Sequence, residues 1–309
     1  MRKGFAILLF FALVFLKLET RAQDTLSIFD NSKVYNKNRT KLVVSSAACL
    51  YGGSMSLLYY AWYKDYSSSS FHFFNDNSEW LQVDKLGHAF CSYQVSRYSS
   101  DLVKWSGASS KASAWKGAGL ALIVMSSIEV FDGFSSAWGF SLGDITANLS
   151  GVGLFLAQEL SWQDQRIKLK YSYMPSKYSQ YSPDLLGKNE IMHLFKDYNA
   201  QTNWISVNLS AFGKKESKMP SWISIAFGYG AEGMIGASAN PPFDGKGNLL
   251  PNFKRNRRFF LSPDIELSRI KSKNKLLGIL LKNFSIIKFP MPAIEYNSNG
   301  HWKFHGLYF

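Results

Sequence analysis

The chain has 309 residues, 46% of them hydrophobic and 16% aromatic, and carries a formal net charge of +13. That composition is too apolar for a disordered tail, and the length allows one large domain or two ordinary ones. Only Cys49 and Cys91 are present, which excludes a disulfide scaffold and leaves a single bridge between them open.

Arg2 and Lys3 precede an apolar run at 4–16, and Thr20-Arg21-Ala22 follows it. A charged start, a short hydrophobic stretch and a small-residue end predict a cleaved secretory signal over 1–22, because 13 apolar residues are too few for a membrane anchor. No cysteine follows the run, so attachment of a lipid at a new N-terminal Cys is not expected. Removing the four basic residues and Glu19 of that segment leaves a net charge of +10, spread over 166–309. An exported basic chain without zinc-finger, RNP-like or basic-zipper patterns is expected to meet a membrane lipid or an envelope glycan, and no nucleic acid.

A polar lead-in over 24–40, with a turn at 36–39, runs into 42–63, where no charge occurs and Tyr59, Tyr60, Trp62 and Tyr63 close the far end. The run is long enough to cross a bilayer and ends in an interface-like aromatic cluster, although a buried helix of a soluble bundle fits the same length. A loop over 65–80 contains four serines and then Phe71-His72-Phe73-Phe74. Helices are predicted near 84–100, over 114–131 and over 144–162, three that fall short of a normal bilayer span. After Gln165 the period changes to two: Ile167, Leu169, Tyr171 and Tyr173 alternate with Lys168, Lys170 and Ser172. Similar alternation predicts strands at 203–211, 221–229, 259–267, 285–289 and 302–309, with a short helix near 273–283 and Pro263 marking an edge or bulge. Six strands are too few for a complete outer-membrane barrel, whatever the closing Phe309 suggests, so a small sheet beside the helices is expected. The fold class is therefore α+β. A signal at 1–22 precedes a four-helix bundle, embedded in or associated with a membrane, over 23–165, and a basic β-rich region follows over 166–309.

Ionisable residues inside apolar helices are costly unless paired or used. Asp84 and His88 are four apart, Glu129 and Asp132 three apart, and Asp144 and Asn148 four apart, so each pair shares a helix face. If the three faces converge, imidazole and carboxylates supply an acid/base pair, or Asp84, His88, Glu129 and Asp132 ligate a divalent metal. Quieter explanations stand beside these. Asp84 caps its helix, Ser141-x-x-Asp144 has capping-box spacing, Asp144 is itself an N-cap, and Asp132-Gly133 marks a helix end. Glu129 is the hardest to dismiss, since a helix C-terminus disfavours negative charge. GxSxG, HExxH, Walker and GxGxxG patterns are absent, and 196–204 reads as a surface turn or a binding loop.

The strings DKLGHAF, EVFDGFSSAWGFSLGDITANLSG and QELSWQDQRIKLKYSY resemble the YfiM-like family of predicted periplasmic lipoproteins of unknown function. KDYNAQTNWISVN, GYGAEGM and RRFFLSPDIELSRI resemble its long members. The missing lipobox cysteine departs from that family, so lipidation does not carry over. In pattern only, Asp84, Lys85, His88, Glu129, Asp144, Asn148 and Gly151 resemble the VanZ-like membrane proteins, which are tied to the cell envelope without a settled reaction. Both resemblances imply an exported envelope protein. Its cluster either recognises or modifies an envelope lipid or glycan, or only locks helices in a non-catalytic assembly component.

Overall fold

The computed structural model describes residues 30–309 apart from 33 and 214–218, so the signal expected at 1–22 lies outside the described residues. Four long helices come first: α1 Lys37–Leu58, running into a π-helical turn at Tyr59–Tyr63, α2 Val83–Trp105, α3 Ser110–Gly133 and α4 Leu142–Trp162. Three starts are capped by side chains that satisfy an orphan amide: Asn36 accepts from the Arg39 N–H, Ser109 from Ala112 and Ser141 from Asp144. Asn36 thus opens α1, where a turn was expected. Lengths of 21 to 24 residues correct the expectation of short helices. Each rises about 32–36 Å, enough for a hydrocarbon core of roughly 30 Å. Hydropathy underestimated them because their ends are polar, as in the Ser99-Ser100-Asp101 turn of α2.

α2 is the central helix, packed between α3 and α4 and against the sheet. The approach is close because small residues line it. A Cβ on Gly117 would lie 2.5 Å from the Ser96 carbonyl oxygen, and one on Gly151 would strike the Ala89 carbonyl oxygen. Tyr93, Ala114 and Phe155 fill one apolar centre, and Ala118, Ala121 and Val152 another.

Six antiparallel strands follow in chain order across one sheet: β1 Ile167–Tyr173, β2 Gln201–Val207, β3 Ile223–Glu232, β4 Asn256–Ile265, β5 Met291–Asn297 and β6 Trp302–Tyr308. Three short helices interrupt them, α5 Pro183–Leu186, α6 Glu190–Lys196 and α7 Lys275–Phe284. The strand expected at 285–289 makes only a bridge, Tyr171 to Ile287, and β5 begins where it ends, unpredicted because Pro292 breaks its pattern. Residues 209–211, expected to continue β2, instead form a 3₁₀ turn capped by Asn208. Pro263 sits in β4 beyond its pairing with β5, at a locally open edge.

The sheet curls. Tyr171 donates its N–H to the Ile286 carbonyl and accepts from the Lys288 N–H at its carbonyl, so chain leading to β5 returns beside β1. Inside the curl, Thr202 of β2 bonds the Tyr308 hydroxyl of β6 at 3.0 Å. Alternation runs opposite to that of a water-soluble sheet. The inward positions hold Lys168, Lys170, Ser206, Asp264 and Glu295 beside an apolar cluster of Trp204, Ala226, Phe260, Ala293 and Tyr308, and most outward ones are apolar. Across the register one outward row reads Leu169, Ile205, Phe227, Leu261, Ile294, Phe304, and the next Tyr171, Asn203, Tyr229, Phe259, Tyr296, Trp302. α2 covers this face at β1, where Phe90 stacks on Tyr171 and Leu169 joins the Tyr93 cluster, and it also reaches β2 and β3. From β2 onward Ile205, Phe227, Leu261, Ile294 and Phe304 are exposed. Among the described residues 33 polar or charged side chains are buried against 20 hydrophobic ones, so the inversion extends through the molecule.

Gly117→Val should force α2 and α3 apart, since backbone rather than a flexible side chain meets the new group. A destabilisation of about 1–3 kcal/mol is expected, read as a lowered thermal midpoint, while Gly119→Val, with nothing near, should cost no more than the helix propensity difference.

Candidate functional site

Three helix ends meet at one end of the bundle: the start of α2, the finish of α3 and the start of α4. Ahead of α2 the chain turns through three successive non-glycine residues in the left-handed region, Trp80, Leu81 and Gln82, at φ of 46°, 50° and 66°. Such backbone costs about 1–2 kcal/mol per residue. It is held by contacts from elsewhere: the Trp80 ring against Tyr198, the Tyr229 hydroxyl on the Leu81 carbonyl, and Arg257 on the Gln82 side chain. The strained turn fixes where α2 begins and therefore where Asp84, Lys85 and His88 project.

His88 is the hub. Its Nδ1 lies 3.3 Å from Asn148 Oδ1 and 3.4 Å from Glu129 Oε1, and its Nε2 lies 4.0 Å from Asp84 Oδ1 and 3.8 Å from Asp144 Oδ1. The first nitrogen faces the interior and the second the outside, because the Glu129 side chain is fully buried while those of Asp84 and His88 are 21% and 16% exposed. Lys85 forms a second centre, with its Nζ 2.6 Å from Asp76, 2.7 Å from Asp144 and 3.5 Å from Asp84. Ser141 caps α4 and also donates its hydroxyl to Asp76. Outside the helices, burial alone would raise the Asp76 carboxyl, but hydrogen bonding with Asp144, Lys85 and Ser141 brings it below the usual range. Burial and the neighbouring Asp84 carboxylate push the Tyr198 hydroxyl well above its ordinary value. That hydroxyl therefore stays protonated and donates to Asp84 at 2.8 Å.

Of the six residues marked by sequence, five converge on His88: Asp84, Glu129, Asp144, Asn148 and the histidine itself. Asp132 stands apart, accepting at 2.7 Å from Tyr63 of the π-helical turn. The cap assignments sort as well: Ser141, not Asp144, caps α4, and Gln82 in left-handed backbone, not Asp84, precedes α2. Lys85, Asp76, Tyr63 and Tyr198 are the participants that sequence spacing missed. Tyr198 comes from 196–204, where a surface turn or binding loop was expected, yet Lys196, Asp197 and Asn199 are buried there. Cys49 and Cys91 are both free thiols, so no bridge forms between them.

The ligand atoms of Asp84, His88 and Asp144 lie within 4.8 Å of one another, a spacing that could hold a divalent ion with mixed oxygen and nitrogen donors. Asp144 thus stands in this set where Glu129 and Asp132 were expected. The Lys85 ammonium on Asp144 competes directly with such an ion.

Residues 70–158 match the family described as "Predicted periplasmic lipoprotein (DUF2279)", a stretch that contains Asp76, Asp84, Lys85, His88, Glu129, Asp132, Asp144 and Asn148 but neither Tyr63 nor Tyr198, and none of the sheet. The match agrees with the first of the two resemblances at the level of an uncharacterised periplasmic lipoprotein family, and with an exported, envelope-associated chain. No curated protein and no solved structure matches the chain.

If Lys85 is what occupies the cation position, Lys85→Met should strengthen Zn²⁺ or Mn²⁺ binding by about tenfold or more, because one competing charge leaves three carboxylates, Asp76, Asp84 and Asp144. Metal titration of the purified protein measures this, and adding His88→Ala should remove the gain.

Proposed function

We propose that this protein is an exported envelope protein seated in a membrane, the outer one, where its His88 cluster recognises or modifies an envelope lipid or glycan. The observation that carries the membrane half is the reversed polarity: ionic residues inside the curl and an uncovered apolar face outside. In water such a face costs about 25 cal/mol per Å², a cost that contact with lipid removes. Further support comes from the helices. α1 and α3 are long and apolar enough to cross a membrane by length and composition. Exposed aromatics stand near both ends of the bundle, Tyr59, Tyr60 and Phe134 at one and Trp115 and Trp162 at the other, as interfacial belts do. An apolar outward face over a polar inward one is the pattern of outer-membrane strands, here in a sheet of six strands rather than a complete barrel.

The chemical half rests on the orientation of His88. Glu129 and Asn148 sit behind Nδ1, so Nε2 faces the exposed edge between Asp84 and Asp144. A neutral imidazole in that orientation accepts a proton from a hydroxyl group at the edge, and the buried carboxylate favours the imidazolium that forms. Lipid headgroups and glycans supply hydroxyls at this level of a membrane. A second reading has its own observation: Lys85, Tyr63 and Tyr198 tie the acids into a network that bridges α2, α3, α4 and two loops. Under that reading the cluster only locks packing in an assembly component.

His88→Ala and Glu129→Ala separate the two. Retained abundance and localisation with a failed envelope phenotype supports chemistry, whereas a loss of protein in step with the phenotype supports the lock. For the lock, breaking a buried pair should cost about 3–5 kcal/mol.

Seating is tested independently. Phe227→Arg, near the centre of the outward face, should reduce stability in lipid by about 2–4 kcal/mol. The same change on a water-facing surface would stay within about 0.5 kcal/mol. Unfolding titrations in vesicles distinguish these values, and complete release of the protein by carbonate washing would sink the proposal.

A further inference from the structure

Helix α7, Lys275–Phe284, is attached to the protein by its polar side. Its sequence KLLGILLKNF places Leu276, Leu280 and Phe284 at successive i, i+4 positions, with Leu277 on the same stripe. Lys275 and Lys282 stand on the opposite side of the helix. Those lysines are the tethers. Lys275 reaches Asp30 at 2.8 Å and Lys282 reaches Asp101 of α2 at 2.7 Å, while the Tyr98 hydroxyl donates to the Asn283 carbonyl at 3.0 Å. Leu276, Leu277, Leu280 and Phe284 are left 45%, 47%, 41% and 51% exposed, and no residue of α7 is buried. A surface helix of a water-soluble domain turns such a stripe to the core.

The chain that follows extends this apolar surface. Ile287 and Phe289 are exposed too, and Ile287 bridges to Tyr171, which belongs to the outward face of the sheet. Charge decides what lies against the stripe. α7 sits at the end of the bundle where α2 finishes, and the start of α1 joins it there through the Asn36 N–H on the Ser106 carbonyl. Six lysines at this end, Lys37, Lys41, Lys111, Lys116, Lys271 and Lys273, are exposed and have no ion pair among the described residues. The acids nearby do not neutralise them: Asp30 and Asp101 hold α7, and Glu159 and Asp164 are engaged by Lys104 and Arg269. Trp115 and Trp162 are exposed at the same end. A hydrocarbon stripe beside unmatched lysines and tryptophans fits the interface of an anionic bilayer, with leucines at the acyl boundary and lysines among headgroups. A second copy of this chain would bring the same positive charges against these, so repulsion disfavours it as the occupant.

We infer that α7 lies in the plane of the membrane surface, its apolar stripe at the boundary of headgroup and acyl chain and Lys271 and Lys273 against anionic phospholipid headgroups. The inference rests on the membrane reading above and adds which end of the bundle meets anionic lipid.

For the test, protein carrying Cys49→Ser and Cys91→Ser receives one polarity-sensitive label, at Leu280→Cys on α7 or at Phe227→Cys on the sheet. It is reconstituted in phosphatidylcholine vesicles containing phosphatidylglycerol, and quenched by doxyl groups high or low on the acyl chains or by iodide in the water. The Leu280 label should be quenched more by the high doxyl group than by the low one. At low ionic strength doxyl phosphatidylglycerol should quench it about fivefold more effectively than an equal amount of doxyl phosphatidylcholine, the preference contributed by a single lysine near an anionic surface. Lys271→Gln together with Lys273→Gln should reduce that preference about twofold or more. Lipid quenching at Phe227 but not at Leu280 overturns the inference and leaves the membrane seating intact. Quenching at Leu280 but not at Phe227 supports the inference and overturns the seating of the sheet, and absence of lipid quenching at both positions overturns both. Equal quenching by the two lipids overturns the inference, as does a Leu280 label shielded from lipid and iodide alike, which a protein partner would produce. Should Leu280→Cys fail to fold, Leu276→Cys reports from the same stripe.

Discussion

The ion pair of Lys170 with Asp264, 2.6 Å apart and fully buried inside the curled sheet, is the constraint on which the rest depends. Lys168, Lys288 and Glu266 surround it, and Ser206 donates to Asp264. Charges in such a place are tolerated when paired and hydrogen-bonded; each charge of this network is paired, and Asp264 Oδ1, which lacks a hydrogen bond, has Lys288 Nζ 3.9 Å away. With the inward faces of β1, β4 and β5 carrying Lys168, Lys170, Asp264 and Glu295, strand geometry sends their alternate, hydrophobic residues outward. The exposed apolar rows are therefore a consequence of the interior, not an independent surface feature.

The same inversion shapes the helices. α2 lies between the sheet and its two partners and presents serines, Gln94 and Arg97 to them, with small residues allowing backbone contact. Packing between such faces rests on close approach and hydrogen bonds more than on buried hydrocarbon, as Gln94 donating to the Leu169 carbonyl illustrates. The two polar clusters then fall at opposite ends of α2. One holds His88 among carboxylates, and the other holds Arg97 beside carboxylates that other cations have already claimed.

Much of this was legible in the residues. Period-two alternation marked most strands, and uncharged runs marked four helices in the right order. Spacings of three and four put the pairs Asp84/His88 and Asp144/Asn148 on common faces, because helical geometry is local and follows from sequence alone. Glu129 stood out for the same reason, as a charge at the wrong end of an apolar helix. What spacing cannot supply is the partner from a distant segment. Tyr198 lies 114 residues beyond Asp84, and the left-handed turn at Trp80–Gln82 has no glycine to signal it. Lys85 was part of the VanZ-like pattern, but its partners Asp76 and Asp144 come from other segments and only the fold brings them to it.

Sequence by itself determined the α+β order, the faces on which the ionisable pairs sit and the alternation of lysine with hydrophobic residues in β1. Alternation has two solutions, however, since a strand of period two does not say which face turns inward. Tertiary structure decided that, through acids on β4 and just after it that lie about a hundred residues from the lysines they neutralise. Coulombic pairing across such separations depends on the curl of the sheet, which no local pattern specifies.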